Sequence, residues 1–169
     1  MLVFVLVVGT RIGALTHEHR HPHEHVLESC RMDDKKYKKP VPRIDEESKG
    51  FWEACQRHEL YVQKCVACGA FRYYPRALCP ACLSSDTEWV LSSGRGTVYT
   101  YTVTHQNQAA GFRDELPYVL AYVELEEGVR MLTNVVGCAP EDVKIGMPVE
   151  VTFDDVTAEV TLPKFKPAR

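Results

Sequence analysis

The spacing of hydrophobic positions changes several times along the chain. Met1–Val8 is an unbroken apolar run, and beyond it five histidines occupy every second position from His17 to His25. Lys35–Pro42 is basic and carries prolines, which predicts an extended, exposed segment. Between Asp45 and Arg57, Phe51, Trp52 and Cys55 recur at helical spacing. With Asp45 as cap and acids in the first turn, this predicts a short helix that needs a surface to lie on. Gly50 within it costs about 1 kcal/mol relative to Ala.

Past Cys82 the period becomes two. Thr87–Ser92 and Gly96–His105 are β-branched and aromatic, with Tyr99, Tyr101 and Val103 on one face and Val98, Thr100, Thr102 and Thr104 on the other. A polar loop, Gln106–Leu116, is long enough to be functional. Tyr118–Leu125 and Val129–Val136 read as a hairpin turned by Glu126-Glu-Gly128. Pro140–Pro148 reads as a helical turn with a glycine stop, and Val149–Phe153 as the last strand. Five strands with a small helix before the last predict a closed or partly open barrel of OB type, so the chain is mainly β.

Between helix and barrel lie Cys65-Val-Ala-Cys68 and Cys79-Pro-Ala-Cys82, two pairs separated by ten residues. Within each pair the thiolates converge on one side of a tight knuckle. Gly69 allows the positive backbone angle such a turn wants, and Pro80 stiffens the second knuckle. Facing knuckles supply four sulfurs at tetrahedral positions about 2.3 Å from a zinc ion. The prediction is a rubredoxin-like zinc ribbon holding one structural Zn2+ on Cys65, Cys68, Cys79 and Cys82. With all four positions filled, the metal stabilises the fold and catalyses nothing. Iron fits the same geometry, but rubredoxin knuckles lie much further apart, which favours zinc. Disulfides are disfavoured without an export signal. Cys55 and Cys138 read as small buried hydrophobes.

Apolar residues at 45% and charged residues at 25% exclude general disorder and a disulfide miniprotein. No stretch approaches the ~20 apolar residues that span a bilayer. Met1–Val8 lacks a preceding basic region and is short for a signal peptide, so a cytoplasmic location is expected. The alternating histidines can chelate metal. However, Met32 opens an ordinary N-terminus, and residues 1–31 are expected to be a disordered leader or an upstream extension. The expected organisation is then 32–59 as extended segment and helix, 60–86 as ribbon, and 87–169 as barrel with a C-terminal tail. A net charge of −3 argues against a nucleic-acid groove, although Tyr99 and Tyr101 offer an aromatic platform to a single-stranded nucleic-acid binder.

The combination resembles the bacterial and archaeal zinc-ribbon OB-fold family known as domain of unknown function 35, from about residue 40 to 167. The resemblance rests on the Phe51-Trp52 helix, the four cysteines, Ser93-Gly-Arg-Gly-Thr-Val-Tyr99, Pro117–Leu125, Glu127-Gly-Val-Arg130, Ile145–Val151 and Leu162–Pro167. It implies a non-catalytic subunit partnered with a thiolase, a lipid-transfer-protein-like aldolase or a MaoC-type hydratase of acyl-CoA metabolism. In such a subunit the ribbon contacts the enzyme and the barrel helps shape or cover the coenzyme A site. For a coenzyme A phosphate, Arg72, Arg76 and Arg95 are the candidates, since guanidinium binds phosphate in bidentate fashion. Trp52, Tyr73 and Tyr74 are candidates for a partner interface, with packing as the alternative. The tail Lys164-Phe-Lys-Pro167 either docks on a partner or frays. No nucleophile with an orienting base is evident; His58 and His105, at the ends of elements, read as surface or packing residues.

Overall fold

The computed structural model describes residues 37–168, all within the second of the two units into which the chain divides, Lys36–Arg169. The leader and start expected before Tyr37 lie outside the described residues.

Helix α1 spans Lys49–Gln56 and buries Phe51, Trp52, Ala54 and Cys55. Asp45 acts one turn earlier than the helix proper. Its carboxylate accepts from the Ser48 amide (2.9 Å), and the Ser48 hydroxyl in return accepts from the Asp45 amide (3.2 Å). This reciprocal pair stabilises the turn that leads into the helix.

Three strands follow, β1 (Tyr61–Cys65), β2 (Phe71–Arg72) and β3 (Thr87–Leu91), forming an antiparallel sheet in the order β2-β1-β3. Five more close a barrel in the order β4-β5-β6-β8-β7: β4 (Arg95–Thr104), β5 (Tyr118–Leu125), β6 (Arg130–Val135), β7 (Pro148–Asp155) and β8 (Thr161–Pro167). Short helical turns at Arg113–Glu115 and Pro140–Asp142 interrupt the connections. The mainly β class and the five-stranded OB barrel match expectation, but the membership of the barrel differs.

Thr87–Leu91 belongs to the ribbon sheet, pairing with β1 from Tyr61↔Leu91 to Cys65↔Thr87. Alternation alone cannot tell which sheet an alternating strand will join. The fifth barrel strand is the tail: Thr161, Pro163 and Phe165 point into the core, while Lys164 and Lys166 point out to Asp154 and Glu150. Two prolines disguise this strand, because proline lacks a ladder donor. They are tolerated where β8 meets β6, a parallel seam with the single register pair Val135↔Phe165.

A second difference lies within β4. A bulge between Val98 and Thr100 inserts one residue against β5. The phase therefore slips: Val98 is buried, Tyr99 stands outside at 45% exposure, and Tyr101 and Val103 return inward. Tyr99 and Tyr101 thus lie on opposite faces, and the platform expected from the pattern does not form. Outside the barrel, the Tyr99 ring lies 3.5 Å from the Arg130 guanidinium.

One core runs through these elements. Phe51, Cys55, Leu60 and Val62 pack with Val98, Val123, Met131, Val149 and Phe165. Each such side chain contributes about 1.5–3 kcal/mol by leaving water. Two polar devices fix the connections. The Glu127 carboxylate accepts from the Ser93 amide (2.7 Å) and the Ser92 hydroxyl (3.0 Å), where ribbon becomes barrel. At the end of α1, His58 lies 3.0 Å from Asp155 and stacks on Phe153. In the extended segment before α1, Lys38, Pro40 and Val41 are exposed and Tyr37, Lys39 and Pro42 are half-buried; Lys38 and Lys39 pair with Asp114 and Glu115 in the β4–β5 loop.

Candidate metal centre

The two knuckles repeat one backbone design. Gly69 N–H donates to the Cys65 carbonyl at 2.8 Å, and Leu83 N–H donates to the Cys79 carbonyl at 2.8 Å. The Cys65 amide donates to Ala70, and the Cys79 amide to Ser84, each at 2.9 Å. The residue after each pair is left-handed, Gly69 at φ 73° and Leu83 at φ 60°. Gly69 meets the expectation. Leu83 does so at a steric cost, since its Cβ crowds the backbone there.

All four sulfurs lie within 4.8 Å of one another, with Cys65–Cys82 at 3.6 Å and Cys68–Cys79 at 3.7 Å. A tetrahedron of sulfurs about 2.3 Å from a central ion has edges of about 3.8 Å. The donor set therefore fits a zinc-sized ion, and the cysteines are not paired as disulfides. Backbone donors favour the thiolate at two of the ligands, whereas at Cys82 the Ser84 amide, which lowers it, is outweighed by the Cys68 and Cys65 sulfurs and the thiol rises to about 12. The amides of Ala81 and Cys82 pull the Cys79 thiol down to about 6, and the Cys68 amide lowers Cys65. By contrast, burial raises Cys55 to about 12, as expected of an inert packing thiol. Burial also raises Cys138, although it is only partly covered.

Around the cysteines stand three exposed aliphatic side chains, Val66 (62%), Leu78 (54%) and Leu83 (72%). Sequence reasoning passed over them. Their signal was available, namely large apolar residues flanking cysteines in turns that bury nothing.

The three candidate arginines do not converge. Arg72 is buried, donating to Gln63 at 2.9 Å and to the Arg76 carbonyl at 3.1 Å, so it faces inward rather than toward a surface phosphate. Arg76 is exposed beside it. Arg95 is exposed on β4, opposite Glu150 of β7, in the other sheet. Trp52 is buried, and its indole N–H donates to the Tyr74 hydroxyl at 3.1 Å. Phe51, Trp52, Tyr73 and Tyr74 form an edge-to-face cluster joining α1 to the ribbon, and burial raises the Tyr73 phenol. This is the packing alternative. His58 is engaged by Asp155, whereas His105 is exposed past the end of β4. Among the described residues, no helix is long and apolar enough to cross a membrane.

Comparison with known proteins follows the same division. Residues 52–88 match the family described as ChsH2, rubredoxin-like zinc ribbon domain, and residues 89–154 match ChsH2, C-terminal OB-fold domain. A probable enoyl-CoA hydratase alpha subunit of Thermomonospora curvata is 42% identical over 77% of this chain. The chain spans 40% of that relative's length. A DUF35 domain-containing scaffold protein of Methanocaldococcus jannaschii is 42% identical over 58% of this chain and 70% of its own. Among solved structures, a chain of the Ltp2-ChsH2(DUF35) aldolase superposes with a TM-score of 0.70 at 41% identity, covering 76% of this chain and all of that one. With a four-cysteine ribbon followed by a closed OB barrel, and with these matches across both parts, the chain belongs to the DUF35 family of ChsH2-type zinc-ribbon OB-fold proteins.

Proposed function

We propose that this protein is a non-catalytic, zinc-binding accessory subunit of an acyl-CoA-processing enzyme. Its partner is a thiolase-fold protein, such as a thiolase or a lipid-transfer-protein-like aldolase, or a MaoC-like hydratase. The reading is carried by one observation: a DUF35 chain from an aldolase complex is matched over its whole length at 41% identity. The relative named as a hydratase alpha subunit supports the same class, and there the matched region is less than half of a longer chain. In this reading Cys65, Cys68, Cys79 and Cys82 hold one structural Zn2+, whose chemistry is to cross-link the knuckles. A four-thiolate shell leaves no position for water or substrate. Val66, Leu78 and Leu83 give the ribbon tip an apolar surface of the kind that partners cover. The barrel side contributes to forming or covering the coenzyme A site, and the complex works in the cytoplasm.

The test uses the full chain as bait in lysate of its source, with metal measured on the same preparation. One zinc per chain and stoichiometric capture of a thiolase-fold or hydratase-fold enzyme are expected. Recovery of nucleic acid, or of no acyl-CoA enzyme, would overturn the assignment.

A further inference from the structure

The ribbon sheet has two edges, and β3 is the longer. Strand β2 is two residues long, whereas β3 runs for five, with β1 on one side and no strand among the described residues on the other. The hydrogen-bond phase fixes which residues face that open side. Ser92 N–H donates to the Leu60 carbonyl and Val66 N–H to the Asp86 carbonyl, which makes Glu88 and Val90 the residues of β3 bonded to β1. Thr87, Trp89 and Leu91 therefore turn both N–H and C=O away from β1. Among the described residues these backbone groups have no partner.

Proteins usually blunt such an edge with lysine, proline or a bulge. β3 reads Thr-Glu-Trp-Val-Leu, and its register with β1 is unbroken from Tyr61↔Leu91 to Cys65↔Thr87. Trp89 and Leu91 share one face of the strand, and both are exposed. Gly50 lies against the Trp89 ring, where an added Cβ would come within 3.3 Å, so α1 buttresses a ring still partly open to solvent. On the other face Glu88 pairs with Lys64 of β1 at 3.1 Å. An open row of donors and acceptors beside exposed apolar side chains is a template for one more strand.

We infer that β3 pairs antiparallel with β3 of a second copy of this chain, about a two-fold axis at Trp89. In that register Trp89 faces its own equivalent, Thr87 faces Leu91 of the other copy, and every outward N–H meets a carbonyl. Trp89 and Leu91 of both copies become cross-strand neighbours and cover one another. Glu88 lies opposite Val90. Sliding the strands one repeat either way shortens the overlap, and one of these slips sets Glu88 against Glu88, a like-charge pair that costs stability. The strand thus complements itself, the requirement of an isologous two-fold contact, and two ribbon sheets become one. Five residues a side make a small interface, of the class that buries less than roughly 1,200 Å², so the dimer is reversible. This pairing is independent of the acyl-CoA reading.

The test is sedimentation equilibrium and amide exchange on the full, metal-loaded chain, with no enzyme or coenzyme A present. A monomer–dimer equilibrium is expected between micromolar and millimolar chain. Exchange at the Thr87, Trp89 and Leu91 amides should slow as the dimer fills, while the Glu88 and Val90 amides, already bonded to β1, should not change. L91K places an edge lysine on the seam and should weaken the dimer roughly tenfold or more, with thermal melts confirming the fold. E88Q should leave the affinity unchanged; a tighter dimer would reveal the slipped register and overturn this one. A monomer at every concentration, a dimer that leaves the three amides unprotected, or a dimer indifferent to L91K would each overturn the pairing. Protection of those amides only on adding a partner enzyme would assign the edge to that enzyme and overturn it equally.

Discussion

Leu83 is the residue where local energy and position disagree most. A leucine at φ 60° and 72% exposure gives up backbone comfort without burying its side chain. Its counterpart in the first knuckle is glycine. Leu83→Gly should therefore leave the isolated chain as stable or stabilise it by about 0.5–1 kcal/mol, read from urea melts. If the side chain serves a partner, the same variant should weaken enzyme capture. The cysteines behave oppositely. Cys65→Ser or Cys79→Ser should abolish stoichiometric zinc and loosen the two knuckles, seen as loss of amide protection at Gly69 and Leu83, whose N–H groups close the knuckle turns. Asp155 supplies a pH signature. The Thr161 hydroxyl, followed by His58, holds its carboxyl below the usual range. A depressed folded-state pKa contributes stability above the unfolded value of about 3.9, and that contribution is lost as pH falls through the folded pKa. Asp155→Asn should lower stability near neutrality and converge with the parent protein in acid, below the folded pKa, so that the acid limb of the stability profile flattens. The metal ligands were legible because their information is local: two short spacings and a knuckle geometry. Arg72 was not, because only the tertiary structure tells that its acceptors are Gln63 and Thr87 rather than a phosphate.

At the scale of elements, the connection between ribbon and barrel is short and tightly held. Gly94 has φ 69°, and a Cβ there would come within 2.5 Å of the Val151 side chain. Beside it, Glu127 accepts two hydrogen bonds from Ser92 and Ser93. Glu127→Ala should cost about 1–3 kcal/mol and speed amide exchange at Ser93, because charge-assisted bonds to a partly buried carboxylate are lost. Unchanged exchange at that amide would show that the connection holds without the clamp. Both residues belong to motifs conspicuous in the sequence, Ser93-Gly-Arg-Gly and Glu127-Gly-Val-Arg, yet nothing in either motif announced that they touch. Strand existence was legible from alternation for β4, β5, β6 and β7. Strand partnership was not, and β3 illustrates why: its pattern satisfies a ribbon edge as well as a barrel wall. The bulge at Tyr99 is a further limit, since a one-residue slip moves side chains to the other face without altering composition.

For the whole molecule, the decisive strand is β8. It supplies Phe165, fully buried among residues of α1, β4 and β6, and it closes the barrel between β6 and β7. Phe165→Ala should cost about 3–5 kcal/mol and lower the melting midpoint of the whole Lys36–Arg169 unit, not of the barrel alone, because ribbon, helix and barrel share one core. A separate, earlier transition for the barrel would contradict that cooperativity. The place of β8 in chain order also sets a schedule for biosynthesis. Every cysteine of the candidate metal centre has left the ribosome's catalytic centre long before Thr161 is added. At about 5–20 residues per second, the interval from Cys82 to Pro167 lasts roughly 4–17 s. During that time the nascent ribbon is complete in sequence while the barrel still lacks the strand that seals it. Metal availability during translation thus acts on the ribbon first, and chaperones have an open-edged sheet of four strands to shield until the last wall of the barrel emerges.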